Sequence, residues 1–153
     1  MTPTDLTDFP TEPLEAGKAG KGGGYQITNA EFVAAVFTVL PGGAYAAVCS
    51  MAGDPGQGGW AASRADQMAG NLSASHNNYI GCSSFFPGND GALMARKTQF
   101  AACHFLMLDD LGTKVPLERL GSFELSWLIE TSPGNHQGGI IFAEPLTDGA
   151  VAE

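Results

Sequence analysis

Two stretches of the chain carry residue types that could do chemistry together. Asp109-Asp110-Leu111-Gly112-Thr113-Lys114 places two adjacent carboxylates, a turn glycine and a lysine at the exit of an apolar run. Carboxylates at the end of a buried strand are costly unless something compensates them. Hard oxygen donors of this kind suit Mg²⁺ or Mn²⁺, ions that also hold nucleotide phosphates. Successive residues on a strand point to opposite faces, so Asp109 and Asp110 share one ion only where the strand has already ended. The competing reading is a polar turn in which Asp110 and Gly112 serve the bend. Further on, Glu130-Thr131-Ser132-Pro133-Gly134-Asn135-His136-Gln137-Gly138-Gly139 joins two apolar segments through small and hydrogen-bonding residues. Its backbone N–H groups and the side chains of Ser132, Asn135 and Gln137 can converge on an anion; otherwise it is an ordinary hairpin loop.

The elements that must position these groups follow from the apolar spacing. Thr28 and Glu31 have capping-box spacing ahead of Phe32, Val33, Val36, Phe37 and Leu40, which recur at helical intervals until Pro41-Gly42-Gly43 stops them. Residues 44–51 read as a first strand, 53–59 as a loop, 60–70 as a short helix carrying Trp60 and Met68, and 78–86 as a second strand closed by the turn residues of 87–91. Residues 100–108 are apolar almost without interruption, the pattern of a strand buried on both faces that stops at Asp109. After Pro116 and a short turn over 117–120, residues 124–130 alternate as a strand. A last strand over 138–142 is ended by Glu144-Pro145. The order predicts an α+β fold, a mostly antiparallel sheet with flanking helices.

With 153 residues there is room for one domain, and 44% hydrophobic against 15% charged residues excludes disorder as the dominant state. No apolar run approaches the roughly 20 residues of a bilayer span. The opening, with Asp5, Asp8, Glu12 and Glu15, has none of the basic and apolar character of a secretory signal, and the chain reads as soluble and intracellular. Residues 1–24 hold three prolines and the glycine-rich run 17–24, and read as a flexible leader rather than a phosphate-cradling loop. Net charge is −9, with −2 on the first 24 residues and −3 on the last ten, the wrong sign for gripping duplex DNA. Cys49, Cys82 and Cys103 are too few and too widely spaced for a disulfide framework or a zinc knuckle, and read as buried, reduced thiols of a cytoplasmic protein. His104 reads as a hydrogen-bonded core histidine, His76 as a turn residue and Trp127 as a packing residue.

Asp-Asp-Leu-Gly-Thr-Lys-Val at 109–115 and Glu-Thr-Ser-Pro-Gly-Asn-His-Gln at 130–137, each after an apolar strand, resemble the motifs of RepB-like DNA primase domains of phages and plasmids. These belong to the archaeo-eukaryotic primase, or primase-polymerase, superfamily. The resemblance runs from about residue 78 to residue 146 and takes in Asn78-Tyr79 and Arg96-Lys97. It implies that residues 25–153 are the N-terminal portion of a catalytic domain with an RRM-like core, incomplete at its C-terminal end. The activity implied is metal-dependent, template-directed nucleotide addition in phage or plasmid replication. Asp109 and Asp110 would be the catalytic, metal-binding acids. Lys114, Ser132, Asn135, His136 and Gln137 would bind the nucleotide, with His136 either on phosphate or filling an aromatic slot. The family's first motif is usually Asp-x-Asp or Asp-x-Glu, whereas here the acids are adjacent. Its third, an acid followed by Arg-Leu-Pro, is not matched by Glu144, Asp148 or Glu153. Implied companions are Mg²⁺ or Mn²⁺, nucleoside triphosphates, a single-stranded DNA template and a replicative helicase, in the cytoplasm of a bacterial host and without a membrane. Two other readings predict different behaviour: a non-catalytic, nucleotide- or protein-binding remnant of a primase, and a small α+β interaction module.

Overall fold

The computed structural model describes residues 27–53, 61–73 and 75–147. The leader expected over 1–24, most of the loop expected over 53–59, and Trp60 lie outside the described residues.

The capping box forms as its spacing predicts. Thr28 Oγ1 accepts the Glu31 N–H at 3.2 Å and the Glu31 carboxylate accepts the Thr28 N–H at 2.8 Å, starting α1 (Asn29–Val36). The Thr28 backbone N–H, more than its hydroxyl, holds the Glu31 carboxyl below the usual glutamate range. The helix ends a turn earlier than the apolar spacing suggests. Thr38 and Val39 are β-branched, Pro41 excludes the helical region for Leu40, and Phe37 turns inward against the rings of His104 (4.8 Å) and Phe105 (5.7 Å).

Beyond it come β1 (Tyr45–Met51), β2 (Ser63–Arg64), α2 (Ala65–Met68) continued by a 3₁₀ turn over Ala69–Asn71, and β3 (Asn77–Phe85). The chain finishes with β4 (Phe100–Leu111), β5 (Trp127–Ser132) and β6 (Asn135–Leu146). The helix expected over 60–70 is therefore part strand and part helix. All pairings between neighbouring strands are antiparallel, and the six form one open sheet in the order β2-β1-β3-β4-β6-β5. The fold is α+β with a six-stranded antiparallel sheet.

One face of the sheet carries the core. Val36 of α1 and Phe37 just after it, Ala46 and Val48 of β1, Ala65 of α2 and Phe105 of β4 are buried together, with Phe32, Ile80, Met107 and Trp127 packed around them. Trp127 stands edge-on to Phe32 (5.2 Å) and Phe105 (6.0 Å), as a packing residue. A Cβ on Gly139, its partner across β5 and β6, would collide with the Trp127 indole. His104 is buried (2% exposed) and its Nε2 lies 2.8 Å from the hydroxyl of Ser84, itself fully buried. Burial holds the His104 imidazole below the usual histidine range. Cys49 is buried, Cys82 and Cys103 are half-buried, and all three are free thiols.

Two expectations need correction. β4 is buried on both faces only over its first half, where the neighbours Ala101 and Ala102 and then His104 and Phe105 are buried; from Leu106, 50% exposed, one face is open. Nor does Glu144-Pro145 end β6, which runs on to Leu146. The strand pairing with β5 stops at Trp127↔Gly139, and past the Ile141 N–H, which donates to Ser126 Oγ, the outer edge of β6 has no strand partner among the described residues, where proline is tolerated.

Candidate functional site

β4 does not stop at Leu108 but carries both aspartates to Leu111, with a register shift against β6 between Leu108 and Leu111. The irregularity is centred on Asp110, whose φ of 57° is left-handed, a region aspartate enters more readily than most residues. Strict alternation therefore fails where the two acids meet. The Asp110 carbonyl accepts the N–H groups of Thr113 (3.4 Å), Lys114 (3.1 Å) and Val115 (3.0 Å), and Gly112 continues the turn at φ 86°.

The hairpin between β5 and β6 closes against this turn. Glu130 Oε1 accepts the Gly134 N–H at 2.8 Å and so fixes the hairpin tip. Thr113 Oγ1 donates to Asn135 Oδ1 at 2.5 Å, while Asn135 Nδ2 donates to Thr131 Oγ1 at 3.0 Å. A Cβ on Gly112 would stand 2.5 Å from the Gly134 carbonyl oxygen and 3.3 Å from His136 Nδ1. The two segments thus meet backbone to backbone, and Thr113, Thr131 and Asn135 clasp them together.

At the same junction Gln137 Nε2 donates to Asp109 Oδ1 at 3.1 Å, and the Asp110 N–H reaches that same oxygen at 2.8 Å. Among the described residues no hydrogen bond reaches Asp109 Oδ2, and Asp109 is exposed. Asp110 is committed differently: its Oδ2 takes the Lys114 ammonium at 2.7 Å. The bond to Asp110 and then its charge hold the fully exposed Lys114 above the usual lysine range.

Gln137 also lines an open groove of about 600 Å³ on the helix-bearing face of the sheet. Phe32, Ile80, Met107 and Ile129 contribute apolar surface to it. His76, Asn78 and Thr131 contribute hydrogen-bonding groups. His76 Nδ1 lies 3.1 Å from Ser50 Oγ, and Asn78 Nδ2 donates to the Ser73 carbonyl at 2.9 Å.

Of the residues singled out from sequence, Asp109, Asp110, Lys114, Asn135 and Gln137 come together at one junction. His136 is half-buried beneath the aspartate turn, its Nδ1 buried without a hydrogen-bond partner among the described residues. Ser132 is exposed at the start of the hairpin corner, outside the groove lining, where Thr131 stands instead. Sequence reasoning gave no role to Thr113, Thr131 or Met107; it read His76 as a turn residue, and the His76 N–H does close a turn on the Ser73 carbonyl at 3.2 Å. Thr113 lay inside the aspartate motif, but its partner is 22 residues away and nothing in the spacing reveals it.

The donor set bears on the implied Mg²⁺ or Mn²⁺. Among the described residues no three His, Cys, Asp or Glu side chains gather into a metal-holding group. Mg²⁺ is commonly held by one or two carboxylates plus the phosphates of its substrate, and Asp109, bonded to Gln137 through Oδ1, has Oδ2 left to serve as such a carboxylate ligand. Among the described residues, no helix is long and apolar enough to cross a membrane. Comparison of the chain with protein-family models, with curated proteins and with solved structures finds no match.

Proposed function

We propose that this α+β domain is a primase-polymerase-like nucleotidyltransferase, adding nucleotides to a primer or a second nucleotide on a single-stranded DNA template in phage or plasmid replication. The reading rests on one observation, the exposed Asp109 carboxylate held by Gln137, a residue that lines a groove, with an exposed lysine on the neighbouring acid. Asp109 would hold the divalent cation, with Asp110 able to join it by exchanging its lysine. The bound cation supplies charge neutralisation on the triphosphate and lowers the pKa of the attacking hydroxyl. Gln137 orients Asp109, and Lys114 lies where it can follow the phosphates. Asp109, Asp110 and Glu130 set three acids against one lysine around the junction, so a bare triphosphate is repelled and nucleotide binding should require the divalent ion. With a net charge of −9, the domain is suited to working on a template delivered by a partner such as a replicative helicase.

A labelled-nucleotide extension assay on primed single-stranded DNA, with Mg²⁺ or Mn²⁺, tests this. Incorporation that Asp109→Ala and Asp110→Ala each abolish supports it, and incorporation unaffected by both substitutions refutes it. One feature favours the second reading, a primase remnant that binds nucleotide without joining it: the Lys114 ion pair leaves Asp109 as the single uncommitted acid of the motif. Metal-dependent nucleotide binding with no incorporation would select that reading.

A further inference from the structure

α1 and α2 pack on the face of the sheet that carries Val48 and Phe105, whereas the opposite face of β4, β6 and β5 stays open at its centre. Leu106 is 50% and Leu128 49% exposed there, and Leu108 and Ile140 are half-buried. The register sets Leu106 opposite Ile140, and Leu108 opposite Gly138, which in turn lies opposite Leu128. Gly138 has no side chain, and Leu125 fills the gap, its Cδ1 standing 2.8 Å from where a Cβ would be. Five apolar side chains thus make one continuous strip across three strands, about 10 Å wide, which is the diameter of an α-helix with its side chains. Successive rows of the strip are about 7 Å apart along the strands, close to the rise of about 6 Å between a helical residue and the fourth after it.

The strip is set among acids. Residues 100–146 hold six Asp and Glu against Lys114 and Arg119, and Lys114 is already paired with Asp110. Glu130 comes two residues after Leu128 and so faces the same way, and it is exposed. Glu124, just ahead of β5, and Glu144, late in β6, are exposed as well.

We infer that this face docks a basic amphipathic helix of another protein, which lays an apolar stripe along the strip and sets a lysine or arginine one turn further on, against Glu130. Charge complementarity selects that occupant. A second copy would bring the same acids, and a net charge of −9, against themselves. The segments 1–26, 54–60 and 148–153 of this chain hold seven acids against two lysines, the wrong sign for an acidic surround. A nucleic-acid backbone is repelled for the same reason. The strip and the groove lined by Gln137 are on opposite faces of the sheet, so the docking does not depend on the nucleotide-handling reading.

The test uses a labelled helical peptide of about five turns, roughly 18 residues, with leucines at i, i+3, i+4 and i+7 and lysines on the flanks. Its controls are a peptide of the same composition scrambled to remove the stripe and one with glutamate for every lysine. In fluorescence anisotropy with the whole chain, the striped basic peptide should bind at least tenfold tighter than either control. Leu106→Ala and Leu128→Ala should each weaken it about three- to tenfold, the worth of burying the exposed half of a leucine. Glu130→Gln, which keeps an oxygen for the Gly134 N–H but loses the charge, should weaken it about two- to fivefold and flatten its salt dependence. Methyl NMR on the unaltered chain adds a measurement free of mutation: Leu106, Leu128 and Ile140 resonances should move with the peptide while Ile80 and Met107, on the helix-bearing face, stay in place. Equal binding of the scrambled peptide, no binding, or shifts confined to Ile80 and Met107 would each overturn the docking surface. A dimer in sedimentation that Leu106→Ala dissociates would give the strip to a second copy instead, and oligodeoxythymidine moving the Leu106 and Leu128 methyls would give it to nucleic acid; either result overturns the basic helix as its occupant.

Discussion

Gly112→Ala tests the junction most directly. Gly112 sits at φ 86°, where an L-residue pays about 1–2 kcal/mol for its Cβ. That Cβ would also lie 2.5 Å from the Gly134 carbonyl oxygen, a backbone atom with no rotamer by which to escape. Separating two packed segments by the required fraction of an ångström costs a further 1–3 kcal/mol or so, as overpacking does elsewhere. Gly43→Ala is the matched control, since Gly43 has φ 82° and nothing within 4 Å of its would-be Cβ. In urea denaturation followed by circular dichroism, Gly112→Ala should lose about 1–3 kcal/mol more than Gly43→Ala. Metal-dependent nucleotide binding should weaken in the first and hold in the second, because parting the turn from the hairpin stretches the Gln137 bond to Asp109. Equal losses in the two variants would show that the close approach carries no energy and that the junction is looser than the distances state.

Two further outcomes follow from the core. His104 is held neutral by burial, with its folded pKa below the unfolded value. Between those two pKa values the unfolded chain binds more protons, so stability is full above about pH 6.5 and falls as pH drops through the window, by up to about 1.4 kcal/mol per unit; His104→Gln should remove that part of the slope, and an unchanged pH profile would contradict the assignment. Gly139→Ala should force the Trp127 indole off its site against Phe32 and Phe105, lowering stability by about 1–3 kcal/mol and altering near-ultraviolet circular dichroism, whereas an unperturbed aromatic signal would mean that the ring has room to spare.

Much of the architecture was legible because local chemistry and fold agree. Thr28 and Glu31 cap where their spacing places them, the apolar run from Phe100 becomes a strand, and the alternation around Trp127 puts its indole on the buried face. What the chain concealed depends on neighbours. α1 stops early because Phe37 is drawn toward His104 and Phe105, a contact 67 residues distant in sequence at its nearest. Pro145 reads as a terminator but falls where β6 has no outer strand partner among the described residues. The aspartates read as a strand end, whereas a register shift and one left-handed residue carry the strand through them. At the site, residue types named the aspartate turn and the hairpin facing it, yet the clasp of Thr113 with Asn135 and the groove beneath α1 exist only once separate strands align.

The strand order has a consequence for when the site can exist. β6 lies between β4 and β5 although β5 is made first, so during synthesis the chain leaves a gap beside β4 that only its last described strand can fill. A nascent chain halted before Gln137 already holds both aspartates and Lys114, with their local bonds, but lacks the Gln137 amide that donates to Asp109. Completion of the corner between Asp109 and Gln137 therefore waits on the synthesis of β6, and a product truncated before it would lack the junction while keeping both acids.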